Sequence, residues 1–549
     1  MLKTLLSLTI FVLVPALSFA AEGSKAMAIQ KVVTPTGITA WLVESHSLPM
    51  ISGQIAFRAG SAFDPNNKRG VANLIAGLLT QGAGELDARA FQKEKERLGA
   101  NIGAGAGLLN ITASFDTLQE VRDETFALFA KAIKNPTFDE ADFKRLKQAV
   151  IAGRERVQEN PRKLASEAFA EVVYGRYHPY SQPEEGTIRS LTDITPDDVA
   201  YYHKKMFTRA NMVVSVVGAI TSEELSALLE RHFSDLPKGR KKMDIKNPPQ
   251  AQPPVRRKIE MDIPQTTIVM GHEGLNRSVD DYFAALVANH ILGGGGFSSR
   301  LMQEVREERG LVYGISSYFN PLPHHGAFRV VAQTKNESVS SVIDLVKKEI
   351  EAMRRNGVSE EMFADAISYL VGSFPLRLDS NADILSYLTF MQTEELGMDY
   401  MNNWVANIRN VTRADIKKVA QKRFRPDDMA IVLVGNPDGT APQESVKKAK
   451  PEKAEAEEEP QPVAQSEPAY QPPSAAKKAT APEPENTVDE REEDLVVEEE
   501  TVAAPVKGAK KAVQPQEPAD RSSYRATEAP QKPAPQERKR RNPDSKKWL

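Results

Sequence analysis

The spacing of hydrophobic and polar residues switches between two periods along residues 37–435. Short apolar or alternating runs predict β-strands at 37–44, 52–58, 110–116, 266–271 and 326–333. Apolar residues three and four positions apart, with charged residues between them, predict helices at 118–134, 140–158, 222–232, 280–292 and 338–355. Because strands and helices interleave without a regular β-α-β rhythm, the pattern favours an α+β fold with antiparallel sheets.

This pattern occurs twice, on either side of a stretch rich in Pro and basic residues at 237–255. The two copies match without a gap at Thr195/Thr412, Asp198/Asp415, Lys205/Lys422, Phe207/Phe424, Met212/Met429 and Gly218/Gly435. We therefore predict two homologous domains in tandem, 21–236 and 256–438, joined by a semi-rigid, solvated linker at 237–255.

Both ends of the chain differ in composition from this repeated region. Residues 1–20 have Lys3, then an apolar run from 5 to 17, then Ser18-Phe19-Ala20, and this order predicts a secretory signal peptide cleaved before Ala21. A membrane anchor is the alternative, but the run is short of the roughly 20 residues that span a bilayer. We expect a periplasmic or secreted protein.

The last segment, 439–549, is rich in Pro, Ala, Glu, Lys and Gln and poor in aromatic residues, so it predicts a disordered, charged tail. Its acidic run lies at 489–500, and its basic runs at 538–541 and 546–547. Two interpretations remain open. The tail is a solvated spacer, or its basic end binds an anionic surface such as a membrane, a polysaccharide or an acidic partner.

Overall composition narrows the possible chemistry. Lys and Arg number 71 against 74 Asp and Glu, a balance that gives no indication of nucleic acid as a partner. The absence of cysteine excludes disulfides, thiolate metal sites and a cysteine nucleophile. None of the eight histidines has a histidine four residues further on, and the pair His324-His325 lies in a Pro-flanked segment that predicts a solvated turn.

Residues 70–84 contain the segment most informative about function. Five apolar residues form one face of a predicted helix: Val71, Leu74, Ile75, Leu78 and Leu79. A second face carries Asn73, Ala76 and Gly77. In a zinc helix of the H-x-x-E-H type, histidines at i and i+4 bind the metal and the glutamate activates the bound water.

The sequence around this helix, 66–72 and 81–84, resembles the pitrilysin/insulinase family of metallopeptidases. The resemblance extends over roughly 32–435 and includes Tyr177-His178-Pro179-Tyr180. By this resemblance, Asn73 occupies the position of the first zinc-binding His, Ala76 that of the Glu and Gly77 that of the second His. The family's third ligand, a Glu, corresponds here to Ala152 or Gly153. The resemblance therefore implies a degenerate zinc motif, with no metal cofactor in this chain.

A second family signature runs from Leu292 through four glycines, Phe297, two serines and Arg306 to Gly310 and Tyr313. From the residues alone, Ser298 or Ser299 is predicted to cap a helix and Gly310 to end it. By resemblance, Arg306 and Tyr313 are the catalytic-site residues that reach the substrate backbone. Gly294, Gly295 and Phe297 are predicted to bind substrate.

The resemblance implies that each domain is an antiparallel sheet with helices, and that the pair forms half of a clamshell chamber. We expect a zinc-free subunit of a two-chain extracytoplasmic metalloendopeptidase, inactive alone. A homologous partner would carry the zinc and unfolded peptide would be the substrate, with no nucleic acid involved. The alternative is a non-enzymatic peptide-binding or scaffold protein with the same fold. Hydrolysis by this chain alone is a third, less favoured possibility.

Overall fold

The computed structural model describes residues 28–239, 245–249 and 255–437. The predicted signal segment at 1–20 and the predicted tail at 439–549 lie outside the described residues. We refer to 28–239 as the N-terminal half and to 255–437 as the C-terminal half. Among the helices described, none is long and apolar enough to cross a bilayer.

The N-terminal half is built on a six-stranded sheet with strand order β1-β2-β8-β3-β7-β6. Its strands, with the small pair β4–β5, are β1 Gln30–Val33, β2 Thr39–Glu44, β3 Met50–Phe57, β4 Gly82–Ala83, β5 Leu86–Asp87, β6 Asn101–Ala106, β7 Ile111–Leu118 and β8 Met212–Gly218. Its helices are α1 Val71–Leu78, α2 Ala88–Arg97, α3 Arg122–Lys134, α4 Glu140–Arg156, α5 Pro161–Tyr174, α6 Ile188–Asp193, α7 Pro196–Met206 and α8 Ser222–Phe233.

The C-terminal half repeats this topology in a five-stranded sheet with order β11-β12-β10-β13-β9. Its strands are β9 Arg256–Glu260, β10 Gln265–Glu273, β11 Val312–Asn320, β12 Ala327–Lys335 and β13 Ala430–Gly435. Its helices are α9 Tyr282–Asn289, α10 Val339–Asn356, α11 Glu360–Ser373, α12 Asn381–Thr393, α13 Tyr400–Arg409 and α14 Arg413–Arg423.

The duplication predicted from sequence is confirmed at the level of single residues. Thr195 and Thr412 both accept the N3 backbone N–H at the start of a helix, from Asp198 and Asp415, and each pair completes a capping box. Phe207 and Phe424 follow the ends of those helices, and both are buried. The repeated residues therefore fix the same helix start and the same core contact in each half.

The α+β fold class is confirmed, with one addition to the expected antiparallel sheets. Strand β2 pairs with β8 in parallel, and β9 pairs with β13 in parallel, while the other ladders are antiparallel. Parallel neighbours need a long connection, and here each pair is separated by most of a domain. The two-residue periodicity of a strand does not indicate whether it pairs with its neighbour in parallel or antiparallel.

Each half contributes one helix to the sheet of the other half. Helix α5 packs on β10 and β13, with Phe169 and Tyr174 buried among Val269, Val432 and Val434. Helix α12 packs on β3 and β8, where the Thr389 hydroxyl donates to the Ser215 hydroxyl and the Gln392 amide donates to the Val214 carbonyl. This exchange joins the two halves through their cores, independently of the linker.

Candidate functional site

The start of helix α1 is fixed by the buried carboxyl group of Asp64. The two Asp64 carboxyl oxygens accept the backbone N–H groups of Gly70, at 2.7 Å, and Ala72, at 3.2 Å. Burial raises the pKa of Asp64 to about 8, although both N–H groups act to lower it. Arg69 donates to the Ser61 carbonyl and to Asn66. The position of the helix is thus kept by contacts that do not involve the lost zinc-site residues, and sequence periodicity gave no signal for Asp64.

At one of the three predicted zinc-binding positions, Gly77, a neighbouring side chain occupies the space that a larger residue would need. Ala76 is buried, and Asn73 and Gly77 are half-buried. A Cβ placed on Gly77 would lie 2.7 Å from Leu146 Cδ2 on helix α4. Leu146 therefore fills the space that a side chain at position 77 would need, and the packing of α1 on α4 offsets the poor helix propensity of glycine.

The predicted third-ligand position is equally unsuited to a metal. Ala152 is exposed and Gly153 is half-buried, and neither carries a donor atom in its side chain. The next residue, Arg154, is buried and pairs with both Glu167 oxygens, at 2.6 and 3.0 Å. Across the described residues, no group of three or more His, Cys, Asp or Glu side chains could hold a metal ion.

In the C-terminal half, two π-helical segments flank the glycine turn. They span His290–Gly294 and Met302–Glu307, and such segments are frequent at functional sites. A Cβ on Gly294 would lie 2.8 Å from the Asn289 side chain, and one on Gly295 would lie 2.8 Å from the His290 carbonyl. The backbone thus approaches the preceding helix closely. A packing role accounts for both glycines, and their contact with substrate stays a prediction.

The structure brings the half-buried Arg306 together with the exposed rings of Tyr313 and Phe297 in one surface cluster, which we call the cation–aromatic cluster. The guanidinium carbon of Arg306 lies 4.7 Å from the centre of the Phe297 ring and 5.2 Å from that of Tyr313. Phe297 is 58% exposed and Tyr313 is 66% exposed, which is unusual for large apolar rings. The two rings hold the guanidinium by cation–π attraction.

The hydrogen-bonding groups of the cluster, the Arg306 guanidinium and the Tyr313 hydroxyl, are available to bind a ligand. Arg306 Nε lies 3.6 Å from Glu307 Oε1, which is longer than a hydrogen bond. Arginine offers five N–H donors and tyrosine one hydroxyl. Tyr313 lies near the start of β11, an edge strand of its sheet, where the ladder to β12 is irregular between Val312 and Ile315. The arrangement can hydrogen-bond a carbonyl or carboxylate at a sheet edge.

The turn itself differs in detail from the sequence prediction. Ser299 occupies the helix-capping position, since its carbonyl accepts the Gln303 N–H at 3.0 Å. However, its hydroxyl donates to the Gly296 carbonyl at 2.7 Å, so the predicted side-chain cap is wrong. The reason is that Gly296, with φ of 63°, folds the turn back over the serine. Gly310 ends the helix as predicted, with φ of 61°.

An ion pair anchors the helix that carries Arg306. Arg300 donates to Glu349 Oε2 on α10 from Nε at 3.1 Å and from a terminal nitrogen at 2.7 Å. Both side chains are largely buried, so the pair fixes the segment after the turn against the C-terminal core. The sequence pattern gave no indication of this contact, because the two residues lie 49 positions apart.

Comparison with known proteins agrees with this architecture. Residues 42–183 match the family described as insulinase (peptidase family M16), and residues 193–370 match the peptidase M16 inactive domain. A Rickettsia bellii protein named uncharacterized zinc protease is 24% identical over 405 residues, covering 71% of this chain and 95% of that protein. A Helicobacter pylori protein named non-peptidase homolog YmxG is 24% identical over 397 residues, covering 72% and 90%.

A solved structure gives a stronger match. The structure of a peptidase M16 inactive domain from Pseudomonas fluorescens is 33% identical in sequence, with a TM-score of 0.71. The match covers 74% of this chain and 98% of that one. With the two adjoining family matches and a relative of this identity over nearly its whole length, the chain belongs to the insulinase (peptidase M16) family, as a member with a degenerate zinc motif.

Proposed function

We propose that this chain is the zinc-free subunit of a two-chain metalloendopeptidase that works outside the cytoplasm. Its fold is that of the inactive M16 domain. The observation that carries the proposal is the surface cation–aromatic cluster of Phe297, Arg306 and Tyr313 in a chain whose own zinc positions are filled by Asn73, Ala76 and Gly77. A homologous partner would supply the zinc, which activates water for peptide hydrolysis.

The chemistry of the cluster suits a scissile peptide group. In the proposed pair, the Arg306 donors bind a substrate carbonyl and the Tyr313 hydroxyl donates to the oxygen that gains negative charge during hydrolysis. Ring contacts hold the guanidinium before substrate arrives, so little reorganisation is needed. An extended peptide would add to a sheet edge, where main-chain hydrogen bonds bind it with little dependence on sequence. The substrate is accordingly proposed to be unfolded peptide.

The experiment combines this chain with a homologue that carries an intact H-x-x-E-H helix and follows cleavage of a quenched fluorescent peptide. Tyr313→Phe and Arg306→Ala should each lower the turnover of the pair by about 10²–10³, since one lost donor to a developing oxyanion has that effect. The assembly and its zinc content should be unchanged. Equal turnover for both variants and the unmodified pair would contradict the proposal.

Matched control variants separate this effect from a general surface change. Tyr201→Phe removes a hydroxyl from another exposed tyrosine, 67% exposed on α7. Arg355→Ala removes an exposed arginine on α10 that pairs with Glu351 at 2.6 Å. Neither belongs to the cation–aromatic cluster, so both should cleave at the unmodified rate. A loss only in KM at position 306 or 313 would indicate substrate binding without a transition-state contact.

A second candidate is a peptide-binding or scaffold protein that takes no part in cleavage. It is favoured by the similarity to the Helicobacter pylori protein named non-peptidase homolog YmxG. Under this alternative the isolated chain binds unfolded peptide, and adding a zinc-bearing homologue leaves that homologue's cleavage rate unchanged. Calorimetric titration of the peptide into the chain, followed by the cleavage assay above, distinguishes the two functions.

A further inference from the structure

Residues 245–249, the described part of the linker, lie at the junction of the two halves. They form no helix or strand, yet the side chains of Ile245 and Pro248 are buried. Ile245 belongs to a core cluster that also contains residues of α5 and of the loop between β11 and β12. The linker was predicted to be solvated, and for this segment the prediction is wrong, because two of its five side chains are removed from solvent.

Two histidines, one from each half, bind the backbone of this segment. The Nε2 atom of His178 lies 2.9 Å from the Lys246 carbonyl oxygen, and His324 Nε2 contacts the Ile245 carbonyl oxygen. The Nδ1 atom of His178 accepts the Tyr180 backbone N–H at 3.2 Å, so Nε2 carries the hydrogen and donates it. A carbonyl oxygen can only accept, so His324 Nε2 is a donor as well. Two consecutive carbonyl groups are thus bound through contacts that do not depend on their side chains.

The site that holds the segment, which we call the junction cleft, is lined by His178, Tyr180, His324 and the end of α5. The Tyr180 hydroxyl donates to the Pro323 carbonyl at 2.8 Å and so joins the two walls of the cleft directly. The Asn276 side chain donates to the His324 carbonyl at 2.7 Å. The expectation of a solvated turn for His324-His325 is wrong, because this loop packs on α5. None of these wall contacts involves residues 245–249, so the cleft should keep its shape when the segment leaves.

The segment is held as a bound peptide is held, through backbone carbonyls and two buried side chains. Lys246 and Asn247 between them are exposed. Pro249 lies against Gly175, where an added Cβ would lie 3.0 Å from Pro249 Cγ. Selection by the cleft therefore rests on an aliphatic residue and on a proline three positions further along. The proline also restricts the unbound peptide, which lowers the conformational entropy lost on binding.

We propose that the junction cleft is a peptide-binding site for an extended aliphatic-x-x-proline segment, which residues 245–249 occupy as an intramolecular ligand. A separate peptide of the same chemistry binds there once the linker is displaced. Displacement is local, because α5 and α12 continue to join the halves through their cores. The cleft shares no residue with the cation–aromatic cluster, so it is independent of the proposed peptidase function.

The test measures, by fluorescence anisotropy, the binding of a labelled peptide with the sequence of residues 244–250. The substitution Ile245→Asp puts a charge at the buried position of the linker, so the linker leaves the cleft and the peptide can enter. The peptide should bind this variant at least about tenfold more tightly than the unmodified chain, in which the tethered linker competes at an effective concentration of about millimolar. A peptide that itself carries Ile245→Asp should bind neither chain.

Variants of the cleft separate specific binding from general adhesion of the peptide. In the Ile245→Asp chain, His178→Ala and His324→Ala should each weaken peptide binding about three- to tenfold, since each removes one donor to a peptide carbonyl. The matched control His46→Ala removes an exposed histidine that pairs with Glu44, and it should leave peptide binding unchanged.

Circular dichroism checks that each variant stays folded. The variant Ile245→Ala weakens docking of the linker without adding a charge, and it covers the case in which Ile245→Asp does not fold. Equal peptide affinity for the linker variants and the unmodified chain would overturn the proposal. Peptide binding that both His178→Ala and His324→Ala leave unchanged would overturn it as well.

Discussion

Helix α1 and the turn after α9 occupy related places in two copies of one fold, yet they have diverged in opposite ways. Helix α1 follows the central strand β3, and α9 follows the central strand β10. In the first copy the three zinc positions carry Asn73, Ala76 and Gly77, and Leu146 lies against the Gly77 position. In the second copy, the exposed rings of Phe297 and Tyr313 contact the half-buried guanidinium of Arg306.

The difference indicates that the position of helix α1 does not depend on the residues at the zinc positions. The contacts that position α1, from Asp64 to Gly70 and Ala72, do not involve the zinc positions. The zinc site could therefore be lost without loss of the helix. An exposed aromatic pair, in contrast, gains little stability from burial and is hard to explain by folding alone. The surviving cluster is accordingly the better candidate for function.

The largest expected difference between the two regions is catalytic. In the assembled pair, Arg306→Ala should lower turnover by about 10²–10³, whereas Asn73→Ala, in helix α1, should leave turnover within about twofold. Both side chains are polar and partly exposed, so the substitutions are comparable. Steady-state cleavage assays on the two assemblies, one with each variant chain, measure the two turnover rates. A strong loss for Asn73→Ala would show that the first region still contributes to catalysis.

Acidification should destabilise the chain, with the C-terminal half contributing more of the effect. Burial lowers the pKa of His203 in the first half, and of His272 and His290 in the second, to about 4. The unfolded chain then binds more protons than the folded chain between about pH 6.5 and 4, so stability falls as pH falls. Each histidine accounts for about 1–2 kcal/mol between pH 7 and 5.

Asp64 partly opposes this trend, because its pKa is raised to about 8 in the folded state. Between about pH 8 and pH 4 the folded chain therefore holds a proton on Asp64 that the unfolded chain lacks, and this contribution to stability grows as the pH falls. Urea denaturation at pH 7 and pH 5 measures the net effect, which should be a loss of stability. His290→Gln should flatten the pH dependence relative to the unmodified chain. Stability that stays constant or rises at pH 5 would show that these histidines are not held neutral.

Rebuilding a side chain at the lost zinc position should destabilise the first region. Gly77→His forces atoms against Leu146 Cδ2, which lies 2.7 Å from the site of the new Cβ. Overpacking of this kind typically costs about 1–3 kcal/mol of unfolding free energy. Adding Leu146→Ala should recover part of the loss by making room. An unchanged denaturation midpoint for Gly77→His alone would mean that Leu146 can move aside freely.

Removing residues 440–549 should have the smallest effect. Its composition predicts that it buries little apolar surface, so the melting temperature of the remaining chain should change by no more than about 1–2 °C. Thermal unfolding of the truncated and full-length chains gives the comparison. A drop of several degrees would show that the tail packs on one of the two halves.

Sequence reasoning succeeded where the signal is local. The helix end at Gly310, which was predicted, depends on the glycine itself and on residues within a few positions of it. It also placed Arg306 and Tyr313 in one signature, although their roles remain predictions. Periodicity alone could not show the direction of β2 and β9, because parallel and antiparallel strands share the same two-residue repeat.

Sequence patterns could not predict contacts between residues that are far apart along the chain. Leu146, on helix α4, occupies the space beside Gly77 on helix α1, and no sequence motif in either helix predicts that contact. The exchange of α5 and α12 between the two sheets depends on tertiary packing, since an amphipathic helix does not specify which sheet it covers. The His178–Lys246 contact likewise joins residues 68 positions apart.

The most direct test of the central claim is the cleavage rate of the zinc-bearing homologue measured alone and with this chain. If the chain supplies Arg306 and Tyr313 to the partner's site, its addition should raise the peptide-cleavage rate about 10²-fold or more, to a plateau at equimolar ratio. The isolated chain should cleave nothing and contain no stoichiometric zinc by metal analysis. A homologue that cleaves equally fast alone, or one tightly held zinc in the isolated chain, would contradict the account.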